Sequence, residues 1–598
     1  MDTTAKSFPT LKRSYLFPIV LLLIALPFLA NAKGSLNLST LGLRPGTNEN
    51  ATPYLIKAIK ICKEQNYSTM VFPKGTYTFS PVDEQTERFF ISSHDDQEVR
   101  NVAIDIHGMK NFTIDGNGSD FIFHGDMLPI ALSDCKNVTL RGFSIDFDIP
   151  YFTQASIIDA NENYTDIRFA PDIKHSVENK KLYIESCRGK RELFLCMAFD
   201  REQKFVLPKT GDFTFSSVEQ KDDGTIRLFG AKSKMLKKGE VLFMRNTARP
   251  SPGIFNQRCK NLHFEDIDIY WSEGMGMLSQ RCENVTAKSV NVRLRDGSNR
   301  YYTTVDALHF VVCKGRITVT NGLYENMQDD AINVHGDYLQ VTDISADRKT
   351  LTIAYKHHQS FGYEAVLDGE KVQFIYSKNL MPMGQAKVLK AERIDDYKTS
   401  ITFKEPVPAS LQIKDCVENL DWTASVVYRN NTIRNNRARG ALFSTPKKVL
   451  VEGNLFDHCS GSGILLSSDG NSWFLSGACK NVVIRGNRFN ECLTTYYQYC
   501  DGIVSVFPEM PQAPQGFYHS NIVVENNHFT VPSGALLLFA KSVKGLTFAH
   551  NTFQSFDKNK NADNLIRIES CRDTKILDNR QVTTQRDSNI VVQSITLK

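Results

Sequence analysis

The sequence predicts an all-β chain: a right-handed parallel β-helix with two inserted small antiparallel β-barrel-like modules and a short N-terminal capping helix. Three observations predict it. First, one short unit of alternating apolar and polar residues, closed by Gly or Asn, recurs: MKNFTIDG at 109–116, CKNVTLRG at 135–142, CKNLHFEDIDIY at 259–270, CENVTAKSVNVR at 282–293 and CKGRITVTNGLY at 313–324. It returns at 448–457, 480–490, 520–530 and 544–553. Second, Asn454, Asn487, Asn527 and Asn551 hold equivalent turn positions, where Asn tolerates left-handed backbone and bonds its neighbours along a stack. Third, successive units lie about one coil apart, 23 residues from Asn261 to Asn284, while longer intervals such as the 33 from Asn454 to Asn487 leave room for loops on one face. Alternation makes each unit a strand, and repetition stacks the strands into coils.

The elements follow in chain order. Residues 1–32 read as a secretory signal peptide: Lys6, Lys12 and Arg13, an apolar run from Tyr15 to Leu29, then Ala30-Asn31-Ala32 as the cleavage site. The run is short for a membrane span, so the expected product is exported, periplasmic or secreted. Residues 33–149 contain the cap and first coils. Leu55, Ile56, Ile59, Ile61 and Cys62 suit one amphipathic helix opened near Thr52-Pro53, placed where a β-helix otherwise exposes the open end of its core. Residues 150–250 hold strand-like pieces (ASIIDA, TIRLFG, EVLFMRN) without the coil signature and form the first module. Residues 251–337 are central coils, 338–425 the second module (YLQVTDI, TLTIAY, KVQFIY, SITF), and 426–598 the C-terminal coils.

Apolar content of 41% and charged content of 23% are ordinary for a globular protein. A net charge of +5 over 598 residues supplies neither a nucleic-acid stripe nor a polybasic membrane patch. Thirteen cysteines in an exported chain raise the question of disulfides. However, Cys135, Cys259, Cys282, Cys313 and Cys479 occupy one position of the repeat, which reads as a stack of buried thiols. No cysteine or histidine cluster has zinc spacing, and neither a metal nor a cofactor is expected. Protruding modules would permit a homo-oligomer.

The stretch Thr304 to Gly336, TVDALHFVVCKGRITVTNGLYENMQDDAINVHG, concentrates the chemistry. Asp306 and Asp329 are 23 residues apart, so one coil brings them side by side at a spacing of about 4.8 Å, with Asp330 adjacent. Gathered carboxylates among polar residues are what glycoside hydrolysis needs: one protonated to donate to the leaving oxygen, another ionised to activate water. An acid and base about 6.5–9.5 Å apart would leave room for that water and invert the anomeric centre. Consecutive strand residues point to opposite faces, so this reading requires the backbone to bend between Asp329 and Asp330. Asn333 and His335 are candidates for binding hydroxyls. Trp473, in SSDGNSWFLSG, is a candidate for stacking on a sugar face. His309 reads as structural, the pair His357-His358 as surface, and Asp134, Asp146 and Asp148 as turn residues.

The TVD…QDD arrangement is similar to the polygalacturonases, whose later His-Gly and Arg-x-Lys motifs have only a loose echo here in Arg437 and Arg439. Over nearly the whole exported chain, through cap, coils, two inserted modules and MQDDAINVHGDYLQV, the sequence more closely resembles glycoside hydrolase family 110. These are exo-acting α-1,3-galactosidases that remove terminal galactose from blood-group-B-type glycans. The resemblance implies inverting hydrolysis without metal, Asp329 as general acid, and Asp306 and Asp330 as candidate bases; Arg439 is a further candidate for binding the substrate. Two rival classes remain at this stage. A hydrolase or lyase acting on uronate polymers would want, for the lyase, a calcium-binding acidic cluster and a basic catalyst. A non-catalytic glycan-binding β-helix would bind without turnover.

Overall fold

The computed structural model describes residues 33–95, 99–230, 235–556 and 565–582, so the expected signal peptide lies outside the described residues. Helix α1, Thr52–Gln65, has Pro53 in its first turn and ends on Asn66 in the left-handed region (φ 57°). Its N-terminus is held from outside the helix, where Asn50 Oδ1 accepts the Thr52 N–H at 3.0 Å. Leu55, Ala58 and Cys62 form its buried face and lie over the end of the coil core.

Coils then stack in parallel register. Lys136–Phe147, Lys260–Ile269 and Glu283–Val292 pair strand on strand, and so do Ala424–Arg429, Lys448–Glu452, Asn481–Arg485 and His519–Glu525. A second parallel sheet, which bears the functional face, runs through Leu128–Ser133, Ile254–Gln257, Met277–Gln280, Leu308–Val311, Ile332–Ile344, Ala441–Ser444, Ile464–Asp469 and Val504–Glu509. Inward residues form columns of like side chains. Phe456, Phe489 and Phe529 stack with centroids 4.9 and 4.7 Å apart and rings within 7° of parallel, the spacing of neighbouring strands.

Asn431, Asn454, Asn487, Asn527, Asn551 and Asn579 make a buried ladder. From Asn454 onward, each side-chain oxygen accepts both the backbone N–H and the side-chain amide of the preceding member. The expectation that these asparagines adopt the left-handed conformation is corrected. That role falls to the residue before, Gly453, Gly486, Asn526, His550 or Asp578, which leaves the ladder amide pointing into the stack. Left-handed asparagines occur instead at the other corner, Asn111, Asn137, Asn261 and Asn284, where a second, more exposed amide ladder runs. All 13 cysteines are unpaired thiols and 11 are buried. Cys135, Cys259, Cys282 and Cys313 occupy the same corner of successive coils; burial pushes the Cys313 thiol up to about 12, so it is inert at neutral pH.

The modules interrupt the coils without breaking register. The first is a seven-stranded antiparallel sheet between Thr153 and Arg245, with a three-stranded sheet (His175–Glu178, Lys181–Ser186, Gly189–Leu193) sharing its core. Hydrogen bonding leaves this sheet open. The second closes fully: Ile332–Ile344, Thr350–Ala354, Lys398–Phe403, Met381–Arg393, Lys371–Tyr376 and Cys416–Asn419 pair in a ring. Its first strand continues directly from the coil that carries the Asp pair. Among the described residues no helix is long and apolar enough to cross a membrane.

Candidate active site

The register sets the site. Leu308 pairs with Ile332, an offset of 24 residues, so Asp306 lies level with Asp330 rather than with Asp329. The Ala307 N–H donates to the Asp330 carbonyl at 2.9 Å and the Asp330 N–H to Asp306 Oδ1 at 3.3 Å. Between Leu323–Glu325 and Ile332–Ile344 the chain is not a strand. It turns through Asn326 in the left-handed region (φ 57°) and bends at Gln328-Asp329. That bend meets the requirement stated above, and Asp329 and Asp330 reach one place. One carboxylate oxygen from each of Asp306, Asp329 and Asp330 lies within 4.8 Å of the others. This is closer than the expected separation of about 6.5–9.5 Å, because the coils set it at one strand spacing.

Four arginines surround the acids. Arg439, one coil beyond Asp330, aims its Nε at Asp330 Oδ1 (2.8 Å) and donates from Nη2 to Oδ2 (2.9 Å), and it approaches Asp329 at 3.6 Å. Arg437 and Arg249 each stand 3.4 Å from Asp329. Arg437 is itself held by Asp212 of the first module at 2.6 Å. Arg245, from the last strand of that module, adds a fourth charge to the wall.

Burial pushes Asp329 up, but Arg439, Arg437, Arg249 and Arg245 together outweigh it and hold this carboxyl below the usual range. Burial, then the Asp329 charge, lifts Asp306 to about 7 against Arg249 and Arg439. Asp330 is raised well above its ordinary value by burial, with Arg439 opposing and the Asp329 and Asp306 charges adding to the rise. Three carboxylates this close do not all ionise, and a proton stays in the cluster at neutral pH. The oxygens are near enough to hold a cation, but the guanidiniums already neutralise them and would repel one, so the donor set does not fit a metal.

The acids open into a cavity of about 180 Å³. Asn333 and Arg439 line it, and Asn333 Oδ1 is buried without a partner, free to accept a sugar hydroxyl. Trp473 stands in the wall on a turn shaped by Asp469, whose carboxylate accepts the backbone N–H groups of Asn471, Ser472 and Trp473 at 2.7–2.8 Å. His357 of the second module stacks on that indole at 4.2 Å, so it is half-buried and not the surface residue expected. His335 does not reach the wall; it lies buried behind His309. His309 bonds Asp306 Oδ2 at 2.7 Å, because Asp306 sits in a bend rather than in the strand and strand alternation does not separate the two.

Sequence reasoning missed His309, Arg245, Arg249, Asp469 and the run Tyr497-Gln498-Tyr499, all of which line the cavity. The spacing of Arg437 and Arg439, two residues apart on the coil after the acids, was the one legible signal for the arginine cage.

Family models match the chain in three places: GLAA-B beta-barrel domain I over residues 153–242, GLAA-B beta-barrel domain II over 350–417, and a right handed beta helix region over 411–553. The chain is 39% identical over 563 residues to an alpha-1,3-galactosidase B of Phocaeicola vulgatus, covering 89% of this chain and 95% of that one. It is 38% identical over 568 residues to the alpha-1,3-galactosidase B of Bacteroides fragilis, covering 90% and 95%. An alpha-1,3-galactosidase A of Shewanella woodyi is 30% identical over 534 residues, covering 86% and 85%.

Proposed function

Because the chain belongs to the α-1,3-galactosidase family of glycoside hydrolases, we propose that it removes terminal non-reducing α-1,3-linked galactose from exported-side glycans, with inversion. Blood-group-B-type branched glycans and linear Gal-α-1,3-Gal are the two substrate forms. The observation that carries this reading is the small, walled cavity with three carboxylates at its base, which suits one terminal sugar ring and not the interior of a polymer.

In this reading Asp306 and Asp330 clamp the attacking water. A water at hydrogen-bond distance from two oxygens can bridge about 5.6 Å, and theirs lie within 4.8 Å. Asp329 protonates the leaving oxygen. It is the most open of the three, with its side chain 16% exposed against 4% and 1% for Asp306 and Asp330. The arginines around Asp329 favour a second reading, in which Asp329 stays ionised as the base and Asp330 is the acid. The short spacing favours a further variant, a carboxylate nucleophile with retention.

α-Galactosyl fluoride separates the roles, because fluoride leaves without a proton. Asp329→Asn should lose about 10²–10⁴-fold on Gal-α-1,3-Gal and keep fluoride hydrolysis. If Asp330→Asn shows that pattern instead, the second reading holds.

A further inference from the structure

Asp306 is a base in the reading above, yet its carboxyl is lifted to about 7, first by burial and then by the Asp329 charge. A base must be ionised to take a proton from water. From Asp306 an unbroken chain of buried side chains runs through His309, which still lines the cavity, to His335 behind it. Asp306 Oδ2 lies 2.7 Å from His309 Nδ1, His309 Nε2 lies 2.9 Å from His335 Nε2, and His335 Nδ1 lies 2.8 Å from the Gly336 carbonyl. His335 Nδ1 also faces Asp337 Oδ1 at 3.5 Å, and Asp337 accepts a hydrogen bond from the Tyr363 hydroxyl. None of these carboxylate or imidazole side chains is more than 8% exposed.

Counting protons along this chain constrains it. The Gly336 carbonyl only accepts, so His335 Nδ1 carries a hydrogen. One hydrogen must lie between the two Nε2 atoms and one between His309 Nδ1 and Asp306. The trio Asp306, His309 and His335 therefore holds three protons, one more than a carboxylate with two neutral imidazoles. The extra proton has three seats: Asp306, His309 or His335. Burial, with His335 and Arg249 against it, holds His309 neutral, which leaves the two ends.

We propose that His309, His335 and Asp337 are positioning residues that keep Asp306 ionised by seating its proton on His335, beside the Asp337 carboxylate. The proposal rests on Asp306 being a base. The charges around the chain agree with it. On the cavity side Asp306 meets Asp329 and Asp330 together with Arg249 and Arg439. His309 faces Arg249, Asp337 and Asp329, and His94 from the N-terminal segment. Beyond His335, Asp337 meets Tyr363, Tyr355 and His357 of the second module, of which His357 is held neutral by burial. At the Asp306 end Arg249 and Arg439 favour the ionised carboxylate against the Asp329 charge, and at the His335 end the Asp337 carboxylate favours the proton. Moving the proton from Asp306 to His335 needs no exchange with solvent, so it is independent of pH. Asp306 then stays ionised to a lower pH than its own affinity allows.

Asp337→Asn removes the charge that seats the proton, and His335→Gln removes the seat while keeping a partner for His309. Without the seat Asp306 ionises only by losing its proton to water, and without the charge the proton returns to Asp306 in most molecules. The acidic limb of the kcat/KM profile on Gal-α-1,3-Gal should rise by about one pH unit, roughly a tenfold loss below the midpoint, with the alkaline plateau kept. Circular dichroism and the melting temperature report whether each variant is folded. A loss equal at every pH, or an unmoved limb in both folded variants, overturns the proposal. Asp306→Asn tests the underlying reading separately. Azide should restore its turnover and yield β-galactosyl azide, and near-wild-type activity without azide would overturn the base role itself.

Discussion

Asn454→Ala tests whether the buried amide ladder holds the coils in register. Asn454 Oδ1 accepts the Asn431 N–H at 2.9 Å and the Asn431 side-chain amide at 3.0 Å, and its own amide donates to Tyr428 O and Asn487 Oδ1, both at 2.9 Å. Asn431 and Asn454 are each 2% exposed, so water does not replace what is lost. Alanine leaves two donors of Asn431 without a partner, each costing about 1–3 kcal/mol, for a total of about 4 kcal/mol. The damage extends to the site, because Asn431 Oδ1 holds the Gly322 N–H at the start of the coil that carries Asp329 and Asp330. Urea unfolding followed by circular dichroism should show the midpoint falling with the slope unchanged. Asn111→Gly, in the exposed ladder at a left-handed position (φ 54°), is the control and should cost under about 1 kcal/mol. A cost for Asn454→Ala no larger than that of the control would refute the reasoning.

Two further predictions follow from burial and stacking. Burial pushes the Glu418 carboxyl up to about 7, above its unfolded value, so the folded state prefers it protonated; the destabilisation from its ionisation is absent below the unfolded pKa, builds as pH rises from there to about 7, and is complete above it. Glu418→Gln should therefore raise the melting temperature at pH 8, by the equivalent of about 3 kcal/mol, and change it little near pH 4; an equal gain at both would contradict the assignment. Trp473→Ala removes the aromatic wall and its stack with His357 and should raise KM about 3–10-fold, from a loss of about 0.5–1.5 kcal/mol, with kcat changed far less. A kcat loss at unchanged KM would place Trp473 in the chemistry instead of in binding.

What the sequence made legible was whatever repeats. Cys-Lys-Asn corners, alternating strands and the Asn ladder recur coil after coil, so periodicity alone exposes the β-helix, the cap over its end and the two segments that lack the pattern. Asp306, Asp329 and Asp330 were legible because one-coil spacing converts sequence distance into contact. The register was not, since a turn that lengthens by one residue (24 instead of 23) exchanges which aspartate stands level with Asp306. Nor was the partnership of His309 with Asp306, which depends on a bend where strand alternation stops. Arg245 and Arg249 arrive from the first module and His357 from the second, and contacts made by such long excursions leave no local pattern. The ladder asparagines show the same limit on a smaller scale, because composition locates the corner but not which of two adjacent residues takes the left-handed conformation.

Proton NMR of the purified protein with Gal-α-1,3-Gal and with a B-type trisaccharide, followed from the first seconds, tests the central claim most directly. Hydrolysis with inversion predicts β-galactose as the first anomer released from at least one of them, with α-galactose appearing only at the rate of mutarotation. Early α-galactose would contradict inversion and make one of the clustered aspartates a nucleophile, and no galactose from either glycan would contradict the substrate assignment itself.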